Sequence, residues 1–122
     1  MKVLIVDDSS TIRMILKGLL KQLMITDTVE AADGNIALAL LANQTIDLML
    51  LDIHMPNLDG PGCLKAIRAN PATVDLPVII ISSDTTPAQI ESVQAFGTRA
   101  YIKKPFRIEG LSEALSNALP MR

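Results

Sequence analysis

The stretch Leu48-Met49-Leu50-Leu51-Asp52-Ile53-His54-Met55-Pro56-Asn57-Leu58-Asp59-Gly60 decides how this chain folds. Large apolar residues in an unbroken row suit a strand buried on both faces, as strands of a parallel sheet are. The row stops at a carboxylate and passes into a loop of turn formers, after which Pro61 suits the first position of a helix. The same grammar recurs on either side of it. Val3-Leu4-Ile5-Val6 stops at Asp7-Asp8, Val78-Ile79-Ile80-Ile81 stops at Ser82-Ser83, and Tyr101-Ile102 leads into Lys103-Lys104-Pro105-Phe106.

Helical spacing fills the intervals. Ser9 or Ser10 is placed to cap a first helix whose Ile12, Ile15, Leu16, Leu19, Leu20 and Leu23 form one core-facing stripe. Thr28 to Ala31 reads as a short strand and Asp33-Gly34 as a turn, followed by a helix through Ile36, Ala37, Leu40 and Leu41. The third strand is expected from Asp47 to Leu51. The third helix buries Leu64 and Ile67 and ends before Asn70-Pro71. A fourth strand covers Val78 to Ile81, and a fourth helix runs from Pro87 to Phe96 with Gly97 as its cap. Ala100 to Ile102 makes a fifth strand, and Ile108, Leu111, Leu115 and Leu119 stripe the last helix. Strict alternation of strands and helices predicts an α/β fold. Right-handed crossovers then point to a doubly wound, five-stranded parallel sheet of order 2-1-3-4-5, flanked by five helices.

With 122 residues the chain makes one domain. Phe96, Tyr101 and Phe106 are its whole aromatic content, so the core is aliphatic. A net charge of −2 gives no general attraction to nucleic acid. The lone Cys63 excludes an intramolecular disulfide and reads as a small, partly buried residue, which fits a reducing cytoplasm. Met1-Lys2, four apolar residues and then two acids are too short a start for a signal peptide. No apolar stretch approaches the ~18 residues of a membrane span. A soluble, monomeric, cytoplasmic protein is expected.

In open α/β sheets the ligand site lies beyond the carboxyl ends of the strands. Strands one and three are neighbours in the expected order, about 4.8 Å apart, so Asp7, Asp8 and Asp52 should share one region of that edge. Three carboxylates repel one another unless a cation sits among them, and hard oxygen ligands suit Mg²⁺ or Mn²⁺. Lys104 and Ser82 would meet phosphoryl oxygens there, and Asp52 is placed to be a nucleophile that forms an aspartyl phosphate. Each residue alone has a bland reading. Asp7-Asp8 can cap a helix, Asp52 can sit in a turn, Ser82 and Ser83 can cap the next one, and Lys103 and Lys104 can be solvated charges. The joint placement carries the argument. His54 has no second His or Cys at ligand spacing, so its imidazole is not read as a metal ligand.

With VLIVDDS, AADG, LLDIHMPNLDG, PVIIISS and AYIKKPF in order along nearly the full length, the chain resembles a response-regulator receiver domain of two-component signalling, which has a flavodoxin-like fold. The resemblance implies that Asp52 accepts phosphate from a phosphohistidine on a partner histidine kinase or phosphotransfer protein. It implies that Asp8 ligates Mg²⁺ directly, that Asp7 does so directly or through water, and that His54 contributes its backbone carbonyl. Ser82 matches the switch hydroxyl, Lys104 the phosphate-reading lysine before a cis Pro105, and Tyr101 the aromatic that changes rotamer. The face made by the fourth helix, fifth strand and fifth helix would then bind a downstream protein. Such a protein is a switch that catalyses only its own phosphorylation and dephosphorylation.

The chain reads as a single stand-alone receiver over residues 1–122, without an output domain, acting in chemotaxis, in a phosphorelay or as a phosphate sink. Two hydroxyls of the Ser82-Ser83-Asp84-Thr85-Thr86 loop compete for the switch role, and Arg99 stands where the family has small residues. A haloacid-dehalogenase-like phosphatase also uses a strand-end Asp with Mg²⁺. It needs a second Asp two residues on, where this chain has His54. A degenerate receiver used as a scaffold would not need the complete acid, hydroxyl and lysine set.

Overall fold

A computed structural model of the chain describes residues 1–83 and 86–119. Its elements alternate as β1 (Lys2–Val6), α1 (Ser10–Gln22), β2 (Asp27–Ala31), α2 (Gly34–Asn43), β3 (Leu48–Asp52), α3 (Gly60–Ala69), β4 (Val78–Ser82), α4 (Pro87–Gln94), β5 (Ala100–Lys103) and α5 (Ile108–Ala118). The strands are parallel in the order β2-β1-β3-β4-β5, as the alternation predicts.

Alternation of side chains splits each buried strand between two cores. Leu4, Val6, Met49, Leu51, Val78 and Ile80 face one side, where Ala37, Cys63, Leu64, Ile67 and Val93 of α2, α3 and α4 cover them. Val3, Ile5, Leu48, Leu50, Ile79 and Ile81 face the other, under Leu16 and Leu20 of α1 and Leu111 and Leu115 of α5. β3 is buried throughout, which explains why it reads as a continuous apolar run.

Several details differ from the periodic reading. Ile15 is 44% exposed and Ile36 45% exposed, because α1 and α2 press narrower faces on the sheet than their apolar content allows. Cys63 is fully buried rather than partly, and burial followed by the charges of Asp33 and Asp59 pushes its thiol up to about 12. β3 and β4 each run one residue further than expected, so Asp52 and Ser82 belong to the sheet and not to the loops. Asp33 is not merely a turn residue: its carboxylate caps α2 through the Ile36 N–H. Arg99 donates to the Ala118 carbonyl at 2.9 Å and so holds the end of α5. Asp84, Thr85 and Pro120-Met121-Arg122 lie outside the described residues. No described helix is long and apolar enough to cross a membrane.

Candidate functional site

Register places the acids. Val6 pairs with Leu51 across β1 and β3, so Asp7 and Asp52 follow side by side at the carboxyl edge. Asp7, Asp8 and Asp52 each offer a carboxylate oxygen, and these lie within 4.8 Å of one another. Asp7 has no exposed surface and Asp52 only 4%, while Asp8 faces solvent. β4 and β5 complete the edge: Ser82 pairs with Lys103, and the Lys104 N–H donates to the Ser82 carbonyl at 2.8 Å. Ser82 itself is fully buried, and the Lys104–Pro105 bond is cis.

The charges are unevenly satisfied. Asp7 Oδ1 accepts from the Ser9 N–H at 2.9 Å. Asp7 Oδ2 has the Lys104 ammonium at 2.8 Å but no aligned hydrogen-bond donor. Asp52 Oδ1 accepts from the Ile53 N–H at 2.9 Å, and Oδ2 lies 3.5 Å from Lys104 Nζ. Burial first, then the Asp7 charge, pushes Asp52 up to about 6 against the opposing pull of Lys104. For Lys104, burial is outweighed by contact with Asp7 and by the charges of Asp52 and Asp7, which hold the ammonium above the ordinary lysine range.

One ammonium thus reaches two of the three clustered carboxylates, one of which presents a buried oxygen without a directed donor. That donor set fits a hard divalent cation with oxygen ligands, Mg²⁺ before softer metals. Residues that were not singled out from sequence support it. Arg13 donates to the Asp7 carbonyl at 2.6 Å and pairs with Glu30 at 2.9 Å, where Lys17 also binds. The Glu30 carboxylate is held below its usual range chiefly by Arg13. Only the helical position of Arg13, six residues after Asp7, hinted at this.

The loop between β3 and α3 forms the wall behind Asp52. The Gly60 N–H donates to the Ile53 carbonyl at 2.8 Å, and a Cβ on Gly60 would fall 2.5 Å from the Asp52 carbonyl oxygen. No other residue type leaves the chain room to turn back so closely on its own strand. His54 lies exposed on this loop. Tyr101 is half-buried and packs at the edge of the core beneath α3 and α4. Beside it a cavity of about 350 Å³ is lined by Lys103, Arg107 and Glu113.

A doubly wound sheet whose carboxyl edge gathers three acids, a buried serine and a lysine defines a phosphoacceptor receiver. Residues 3–116 match the response regulator receiver domain family, and the chain belongs to it. It is 39% identical over 115 residues to the chemotaxis protein CheY of Pseudomonas aeruginosa, covering 94% of this chain and 93% of that protein. The structure is similar to that of CheY4 of Vibrio cholerae, with a TM-score of 0.89 and 31% identity over 97% of this chain and 98% of the other. It is similar too to the receiver domain of a sensor histidine kinase of Pseudomonas aeruginosa (TM-score 0.87, 26% identity, 96% and 95% covered), described with a magnesium ion coordinated in its active site cleft. The phosphatase alternative gains nothing from these likenesses, and His54 stands where its second acid is required.

Proposed function

We propose that Asp52 accepts a phosphoryl group from a phosphohistidine on a histidine kinase or phosphotransfer protein. The observation that carries this reading is the Asp52 carboxylate, nearly buried between two acids and one lysine at the strand edge. An Asp52 oxygen attacks phosphorus in line, the N–P bond breaks, and its electron pair returns to the imidazole. Asp7, Asp8, Asp52 and the His54 backbone carbonyl would hold Mg²⁺, or Mn²⁺ in its place, which supplies neutralisation of the phosphoryl charge. Lys104 exchanges its contact with Asp7 for the phosphoryl oxygens, and Ser82 donates to the same group.

The new charge draws the end of β4 inward and lets Tyr101 repack, which reshapes the face of α4, β5 and α5 for a downstream protein. The protein acts on nothing but its own phosphorylation state, and works in the cytoplasm. Likeness to a chemotaxis protein over nearly its whole length favours a chemotaxis-type output. The exposed His54 side chain overhangs the site and tunes the lifetime of the phosphoryl group; an unchanged lifetime in His54→Asn would remove it from that role.

Incubation with acetyl phosphate and Mg²⁺, followed by intact mass measurement, tests the acceptor. One added phosphate is expected in the natural protein and none in Asp52→Asn, and equal labelling of the two would refute the assignment. Capture of a partner by the phosphorylated form alone tests the output face.

A further inference from the structure

The loop from Ile53 to Asp59 makes its turn at Asn57, whose φ of 68° lies in the left-handed region. The Leu58 N–H donates to the Pro56 carbonyl at 2.7 Å, so residues 56–58 close a three-residue turn with positive φ at its centre. Turns of this hand are rare and strained, and persist only where the surroundings hold them. Here the surroundings belong to another element. Asn57 Nδ2 donates to Asp33 Oδ2 at 2.7 Å, and the Gly34 N–H donates to the Leu58 carbonyl at 3.1 Å. Gly34 has no room for a side chain, since a Cβ there would lie 2.7 Å from the Leu58 carbonyl oxygen. The other Asp33 oxygen, Oδ1, accepts from the Ile36 N–H at 2.9 Å, so one buried carboxylate caps α2 and grips the loop together.

We propose that Asp33 and Asn57 form a latch that positions the loop carrying His54, and through it the metal site beside Asp52. This rests on the reading of Asp52, Asp7 and Asp8 as that site. Neither latch residue touches the acids; both are positioning residues. The loop is pinned at its near end by Gly60 on Ile53 and at its far end by Asn57 on Asp33. With the far end released, the positive-φ turn relaxes and the backbone after Asp52 loses its fixed direction.

The two side chains can exchange roles, which makes the test specific. In Asp33→Ala α2 loses its cap and the Asn57 amide loses its acceptor. In Asn57→Asp two carboxylates face each other. In the double exchange an asparagine at 33 still caps α2 with its oxygen and donates to an aspartate at 57, which tolerates positive φ almost as asparagine does. The double variant keeps the net charge of the natural protein.

Mg²⁺ affinity is measured by titration calorimetry on the full chain, alongside thermal melts in EDTA and hydrogen exchange at the Gly34 and Gly60 amides. Both single variants are expected to bind Mg²⁺ about tenfold more weakly, the scale at which partners of metal ligands act, and to exchange both amides faster. The exchanged pair should return affinity and protection to near the natural values. Charge alone predicts a different pattern, with Asn57→Asp binding more tightly for its added negative charge.

Natural affinity in both single variants, or no recovery in the exchanged pair while its melt is normal, overturns the latch. Faster exchange without loss of Mg²⁺ affinity also overturns it, since the loop would then be held without positioning anything. If the natural protein binds no Mg²⁺ while its Gly34 and Gly60 amides are protected, the reading of the metal site fails. The latch as a positioning device fails with it, although exchange in the single variants still shows whether Asp33 holds Asn57.

Discussion

Helices α3 and α4 leave the same sheet edge from adjacent strands, yet α3 buries Gly60, Cys63, Leu64 and Ile67 whereas α4 buries only Val93. The entry to α3 is capped by Asp59 on the Gly62 N–H at 2.8 Å and closes on β3 through Gly60. At its other end α4 is tied down by a single side chain of α3. Arg68 donates to the Phe96 carbonyl at 2.7 Å and to Gly97 at 3.3 Å, while binding Leu76 at 2.8 Å and Val74 at 3.0 Å. The contrast teaches how one edge can both hold and report. The wall behind Asp52 is fixed by buried contacts, whereas α4, the described helix beyond Ser82, buries a single side chain, so it opens at lower cost in free energy. On the proposed reading, a phosphoryl group on Asp52 would sit against the first wall and have the second to move.

Four measurements press on that contrast. Gly60→Ala attacks the fixed wall where a Cβ would overlap the backbone of Asp52 and Ile53. It should cost about 3 kcal/mol, the upper range for overpacking, in urea unfolding in EDTA, and should slow phosphorylation. A loss below about 1 kcal/mol would show that wall to be yielding.

The second concerns charge on the same wall. Between the ordinary aspartate value of about 3.9 and the value of about 6 for Asp52, the folded protein keeps a proton that the unfolded chain has released. In EDTA this contribution therefore lowers stability as pH rises through that window, and is level above it. On the proposed reading Mg²⁺ competes with the same proton. Its stabilisation should be full above pH of about 6 and fade below, reaching about 2.7 kcal/mol at a hundredfold excess over Kd. Melting temperatures with and without Mg²⁺ across that range check it, and a difference independent of pH would separate Asp52 from the metal.

Third, Arg68→Ala removes the tie on α4 and should cost about 2 kcal/mol, the scale of hydrogen bonds from a charged donor. Amide exchange should quicken in α4 and leave α3 nearly untouched; equal acceleration in both would erase the distinction between the walls. The smallest effect is expected from Gly97→Ala. Nothing lies within 4 Å of the added Cβ, so only the φ of 74° opposes it, at about 1 kcal/mol. Set beside Gly60→Ala, it separates the cost of a backbone conformation from that of a collision.

Local chemistry was legible without coordinates wherever it repeats. The apolar rows of β1, β3 and β4 gave the parallel sheet, because a strand covered on both faces has no polar side to interrupt it. The strand-end acids, Ser82 and Lys104 were legible as a set, since a doubly wound order brings those ends together. Amphipathic spacing was less faithful: Ile15 and Ile36 sit at core-like positions and remain exposed. Spacing records which residues could face inward, and the width of the contact determines which do.

The sequence by itself therefore determined the order of elements and the strand-end residues that gather at one edge of the sheet. Only the tertiary structure decided that Asp7 is sealed and Asp8 exposed, that Lys104 leans on Asp7 more closely than on Asp52, and that Asp33 reaches 24 residues ahead to Asn57. Motif and periodicity are properties of neighbours along the chain. Burial, ion pairing and the hold on a strained turn arise between segments far apart in it, where packing sets which atoms meet.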